Sequence, residues 1–140
     1  MAIEFASEKS LKLKGIFDHI LIYSDGLVVV DYKTGRVKTV NEILGKTGDK
    51  KGDYYRQLVF YKMLLNNSKY KDLPIKEMRL HFTGGEKQEF EMHSFKPTYD
   101  EVFELEAQIK KVANEIYNLE FWNKKCGKKD CEFCNLPQPK

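Results

Sequence analysis

The chain has 140 residues, 41% of them hydrophobic and 13% aromatic, with a net charge of +3 at neutral pH. That composition describes one folded domain with a real core and excludes a disordered chain. No apolar run reaches the ~20 residues that span a bilayer, and the N-terminus has no signal-peptide pattern, so a cytoplasmic location is expected. The modest charge permits a nucleic-acid partner without arguing for one. The lysines at Lys46, Lys50 and Lys51, and at Lys124, Lys125, Lys128 and Lys129, can equally form solvated surface.

In chain order, "SLKLKGIFDHILIY" (10–23) alternates and is rich in β formers, which predicts a strand. "SDG" follows, and Asp25-Gly26 suits a two-residue hairpin loop. "LVVVDYK" (27–33) predicts a short, central, buried strand. "TGRVKTVNEILGKTGDKKGD" (34–53) is rich in glycine and lysine and predicts a connection that is mobile or shaped by a ligand. "YYRQLVFYKMLLNN" (54–67) has helical spacing through Leu58, Tyr61 and Leu65, with Asp53 as a candidate cap. "KEMRLHFTGG" and "EKQEFEMHSF" predict a second hairpin turning at Gly84-Gly85.

"KPTYDEVFELEAQIKKVANEIYNLEFW" (96–122) predicts a long amphipathic helix, opened by a capping box of Thr98 and Glu101. Val102, Leu105, Ile109, Val112, Ile116 and Leu119 form its apolar stripe, expected as core. The order strand-strand-helix-strand-strand-helix gives an α+β (α/β) domain with a mixed or antiparallel sheet. We divide the chain into a core over 1–125 and a cysteine-containing tail over 126–140.

The first hairpin carries charges where a buried face is expected. With Asp25-Gly26 as the loop, Ser24 faces Leu27 and Asp18 lies opposite Lys33. Asp31 then lies one diagonal step from Asp18, and all three side chains share a face of the sheet. Direct partners have Cβ atoms roughly 5 Å apart and diagonal ones about 7–8 Å. Two carboxylates at that range can hold one divalent cation, and a lysine beside them can contact a phosphate oxygen. A surface ion pair between Asp18 and Lys33 explains the same residues. Against it, charges on a central strand are costly unless paired or bound to metal. Gln57 and Tyr61, four apart, share one helical face and can hydrogen-bond a phosphate or a carboxylate.

Together, "GIFDHI", "VVVDYKTG" and "QLVFY" resemble the PD-(D/E)XK nuclease superfamily. The nearest branch is the RecB-like nucleases of UvrD-type and AddAB-type helicases and of CRISPR adaptation. The resemblance runs from about Leu13 to Cys134 and implies a restriction-endonuclease-like core, a mixed sheet flanked by helices. It implies Asp18, Asp31 and the Tyr32 backbone carbonyl as ligands of Mg²⁺ or Mn²⁺. Lys33 is then the catalytic lysine, and Gln57 and Tyr61 are the helix motif supporting the site. The implied activity is a DNA nuclease or exonuclease attached to a DNA-repair helicase, with DNA and that helicase as partners and no membrane. Loop residues Lys46, Lys50 and Lys51 would meet the DNA backbone. One departure stands out: such nucleases usually begin with a helix supplying a His or Glu, and this chain starts almost directly in a strand. Glu4 is a poor substitute. The alternative is therefore a catalytically incomplete DNA-binding module attached to a helicase. His19, where the family often has Arg, faces away from the acids by alternation.

Cys126, Cys131 and Cys134 have the spacing C-x4-C-x2-C, which in a cytosolic protein favours metal over disulfides. Three thiolates leave one ligand short for zinc or an iron–sulfur cube. The resemblance implies a 4Fe–4S cluster as one use of these cysteines, although no upstream cysteine exists to complete it. His81 and His93 sit in the second hairpin rather than near the tail.

Overall fold

The computed structural model describes residues 1–5, 9–48, 52–84, 90–120, 122, 124–129, 131, 132 and 134, with the side chains of Glu4 and Phe5 left aside. Its elements are β1 (Ala2–Phe5), β2 (Lys9–Lys12), β3 (His19–Tyr23), β4 (Gly26–Lys33), α1 (Val40–Ile43), α2 (Asp53–Asn66), β5 (Ile75–Phe82), β6 (Glu91–Phe95) and α3 (Tyr99–Tyr117). β1 and β2 form an antiparallel pair, and the main sheet runs β3-β4-β5-β6. β4 and β5 are parallel while the outer pairs are antiparallel, so the sheet is mixed, one of the two arrangements the element order allows. A parallel pair needs a crossover, and residues 34–74 supply it.

Leu27, Val29, Met78, Leu80 and Phe82 point from β4 and β5 toward Leu58, Tyr61 and Leu65 of α2. β4 is buried from Gly26 to Asp31, which makes it the central strand the apolar run predicts. A second cluster joins Ile3, Val59, Met63 and Val102, which fastens α3 and β1 to the outer side of α2.

Five expectations are corrected. The single strand over 10–23 is broken: β2 ends at Lys12 and β3 starts at His19. Between them the chain runs close over α2, where a Cβ on Gly15 would lie 2.5 Å from Leu64 Cδ1. The hairpin loop is Ser24-Asp25, with Tyr23 opposite Gly26. Gly26 is claimed by the strand because its φ of +141° and missing side chain let Pro74 approach; a Cβ there would stand 2.4 Å from the Pro74 carbonyl oxygen. The same approach lets Leu27 N–H donate to that oxygen at 2.9 Å.

The cap of α2 is Gly52, in the left-handed region at φ 63°, and Asp53 is the first helical residue. A Cβ at Gly52 would lie 3.0 Å from the Leu44 carbonyl carbon, so close packing of α1 against the start of α2 selects glycine over an acidic cap. The connection after β4 is built rather than loose in residues 36–48. Thr39 and Glu42 form a capping box for α1, Arg36 pairs with Glu42, and Ile43 is buried. Finally, the α3 stripe is core only in its first half. Val102 is buried and Leu105 and Ile109 pack against the second cluster, but Val112, Ile116 and Leu119 are exposed. Leu119 lies beyond the helix, which ends at Tyr117.

Candidate functional site

The β3–β4 register, continued one residue, sets Asp18 against Asp31 instead of against Lys33. The slip is two residues, so side-chain parity is kept and both acids remain on one face. Asp18 is exposed at the entry to β3, and its Oδ2 accepts from the Tyr32 N–H at 2.8 Å. Asp31 is only 2% exposed. A buried carboxylate must be matched by donors or cations, and α2 brings them.

Gln57 Nε2 donates to Asp31 Oδ1 at 3.0 Å and to the Tyr61 hydroxyl at 2.7 Å. The Tyr61 hydroxyl has one proton and two acceptors in reach, Asp31 Oδ1 at 3.1 Å and the Ile16 carbonyl at 2.9 Å. Burial pushes the Tyr61 phenol up to about 12; the Gln57 bond opposes this and the Asp31 charge adds to it. The phenol is thus a donor at neutral pH. Asp31 Oδ2 is treated differently. Lys33 Nζ stands 2.7 Å away, but Oδ2 receives no well-directed hydrogen bond from a described group. Lys33 Nζ instead donates to Gln57 Oε1 at 2.7 Å.

Asp18, Asp31, Lys33, Gln57 and Tyr61 therefore converge at the C-terminal end of β4. Phe17 lies against the Tyr61 ring, centroids 4.7 Å apart. Tyr32 turns its side chain to the opposite face, where it is exposed and meets the His81 ring at 5.5 Å. His19, paired with Val30, shares that opposite face. Lys46 is exposed in the turn after α1, whereas Lys50 and Lys51 lie outside the described residues.

Two neighbours went unread in the sequence. Lys33 Nζ lies 4.5 Å from the centroid of the Tyr54 ring, and Lys38 Nζ lies 3.8 Å from the same centroid. Tyr54 precedes Gln57 by three residues and so shares its helical face, a spacing that could have found it.

The acids fit a hard divalent cation. They offer oxygen donors, one of them a buried oxygen that has the Lys33 ammonium 2.7 Å away but accepts no well-directed hydrogen bond from a described group. Away from this site, Cys126, Cys131 and Cys134 bring their sulfurs within 4.8 Å of one another, a cluster able to hold a metal. Among the described residues it is the sole grouping of three or more His, Cys, Asp or Glu ligands at such range. His93 Nε2 instead lies 3.2 Å from a Glu91 carboxylate oxygen, without a well-directed hydrogen bond between them. Among the described residues no helix is long and apolar enough to cross a membrane.

A family model described as the PD-(D/E)XK nuclease superfamily matches residues 1–138. Neither a curated protein nor a solved structure matches the chain.

Proposed function

The chain belongs to the PD-(D/E)XK nuclease superfamily, and from that premise we propose that it hydrolyses phosphodiester bonds in DNA with Mg²⁺ or Mn²⁺ held by Asp18, Asp31 and the Tyr32 carbonyl. The observation that carries the reading is the pairing of a buried Asp31 Oδ2 with Lys33 Nζ at 2.7 Å, beside a second acid on the same face. The ion, when bound, supplies Lewis acidity to the scissile phosphate and acidifies the attacking water.

The protein's own groups do the rest. Gln57 and Tyr61 fix Asp31 by its Oδ1, which leaves Oδ2 for a cation. Lys33 stands on that oxygen and serves as its counter-charge. Its ammonium would also stabilise charge developing on the phosphate. Gln57 Oε1 keeps it oriented. Exposed Lys46, with Lys50 and Lys51, would give affinity for the strand without reading its sequence.

The setting we propose is a repair or recombination helicase-nuclease of the RecB-like kind, acting with a helicase domain in the cytoplasm. Residues 1–125 would form the nuclease core and 126–140 a separate cysteine tail. That tail would hold zinc or an iron–sulfur cluster, and iron and zinc analysis of purified protein tests this. One observation favours a second reading, a catalytically incomplete DNA-binding module: among the described residues no third His, Asp or Glu joins the two acids.

Calorimetric titration with Mn²⁺ tests the site. Wild-type protein is expected to bind one ion there, and Asp31→Asn, a neutral substitution of the same shape, to lose that binding. Equal affinity in the two proteins would remove Asp31 from the ligand set.

A further inference from the structure

Tyr54 sits in the first turn of α2, on the face that carries Gln57. Its ring also touches Phe82 at the end of β5, with centroids 6.2 Å apart, so the ring is fixed between helix and sheet. Two ammonium groups share it, Lys33 at 4.5 Å and Lys38 at 3.8 Å from the centroid. The two nitrogens are therefore within about 8 Å of each other, close enough for like charges to repel.

The two lysines differ in what else they meet. Lys33 is satisfied by Asp31 and Gln57. Arg36, nearby in sequence, is tied to Glu42. Lys38 is half-buried, and among the described residues no carboxylate, carbonyl or hydroxyl pairs with it; the Tyr54 ring is its one partner. Nor does it float. It directly precedes Thr39, the capping-box residue of α1, and Val37 beside it packs against the main core. A cation held half out of water beside a second cation gains most from an anion placed between or beside them.

We infer that Lys38, seated on Tyr54, is a substrate-binding residue that takes a backbone phosphate neighbouring the one held at Asp18, Asp31 and Lys33. Tyr54 is the positioning residue that sets the spacing of the two ammonium groups. This inference rests on the nuclease reading above, and it adds a phosphate contact that the lysines after α1 do not provide.

The test measures binding of a short fluorescein-labelled single strand and of the matching duplex, with Ca²⁺ in place of Mg²⁺, over a range of KCl concentrations. Lys38→Met keeps the alkyl stem over the ring and removes the charge. It is expected to weaken binding about five- to eightfold near 0.1 M salt. The slope of log affinity against log salt should fall by about 0.7 for the single strand or 0.9 for the duplex. Lys38→Arg should restore the slope, and Tyr54→Leu should lower it as Lys38→Met does. Thermal melts confirm that each variant is folded. A wild-type slope in Lys38→Met would overturn the inference and leave the nuclease reading standing. Wild-type protein that binds neither probe in a salt-dependent way would overturn both.

Discussion

At Asp31 the two carboxylate oxygens have different surroundings, and the difference decides what each can do. Oδ1 is held by Gln57 and faces the Tyr61 hydroxyl, while Oδ2 has a cation at contact distance. Removing one partner of a buried acid costs more than the bond was worth, because the remaining group is left short of donors. Tyr61→Phe should therefore destabilise the protein by about 1–2 kcal/mol in a denaturant melt at neutral pH. The alkaline behaviour carries the sign of the phenol shift. Its folded value is raised from 10.0 to about 12, so the linked stability is fully present below 10.0 and lost as pH rises from there toward 12. Melts across that range should show a smaller alkaline loss in Tyr61→Phe than in wild type; identical losses would show that the phenol is not the linked group. These residues were legible in the sequence because alternation in a strand and the four-residue repeat of a helix survive errors of register. The hairpin loop lies one residue earlier than expected and the pairing is offset by two, yet Asp18 and Asp31 stay on one face. What alternation could not supply was the partner of each charge. The sequence paired Lys33 with Asp18, and the fold pairs it with Asp31.

Among the elements, α3 shows what patterning can and cannot say. Its capping box forms as the sequence predicts: Thr98 accepts from Glu101 N–H, and Glu101 accepts from Thr98 N–H at 2.7 Å. Invisible beforehand was the third partner, the Tyr55 hydroxyl, 2.8 Å from Glu101 Oε1, which ties the start of α3 to α2. Burial alone would raise the Glu101 carboxyl, but the Thr98 backbone bond, Tyr55 and the Thr98 hydroxyl outweigh it and hold it below the ordinary range. The stability so linked is present above the ordinary glutamate value and lost as pH falls through the lower folded value. Glu101→Gln should cost roughly 1 kcal/mol at neutral pH and make melts less sensitive to acid; an unaltered acid profile would place that sensitivity elsewhere. The stripe beyond Ile109 was misread as core because periodicity reports which residues share a face, not how far the neighbouring elements extend. The cluster that α3 shares with Val59 and Met63 of α2 reaches along the stripe only as far as Ile109. Val112 and Ile116 beyond it stay exposed.

The molecule as a whole is arranged around the parallel pair β4 and β5. That pairing obliges the chain to cross over through α1 and α2, and the crossover lays Gln57 and Tyr61 over Asp31 and Lys33 at the end of the central strand. Strand order was the least legible level, since nothing local says which strands pair in parallel. The β1–β2 pair was missed for a related reason: each strand has four residues, too few to show a period. We propose that this convergence is a metal-dependent phosphodiesterase site in which Asp31 holds the ion and Lys33 acts on the phosphate. The most direct test is the rate of Mn²⁺-dependent cleavage of labelled linear DNA by wild-type protein and by Lys33→Ala, with Mn²⁺ affinity measured in both. Lysine lends no ligand to the ion, so the variant should keep or improve Mn²⁺ binding while cleavage falls by about 10²–10³. Equal cleavage by the two proteins would rule out this role for Lys33, and no Mn²⁺-dependent cleavage by the wild type would rule out a metal-dependent phosphodiesterase.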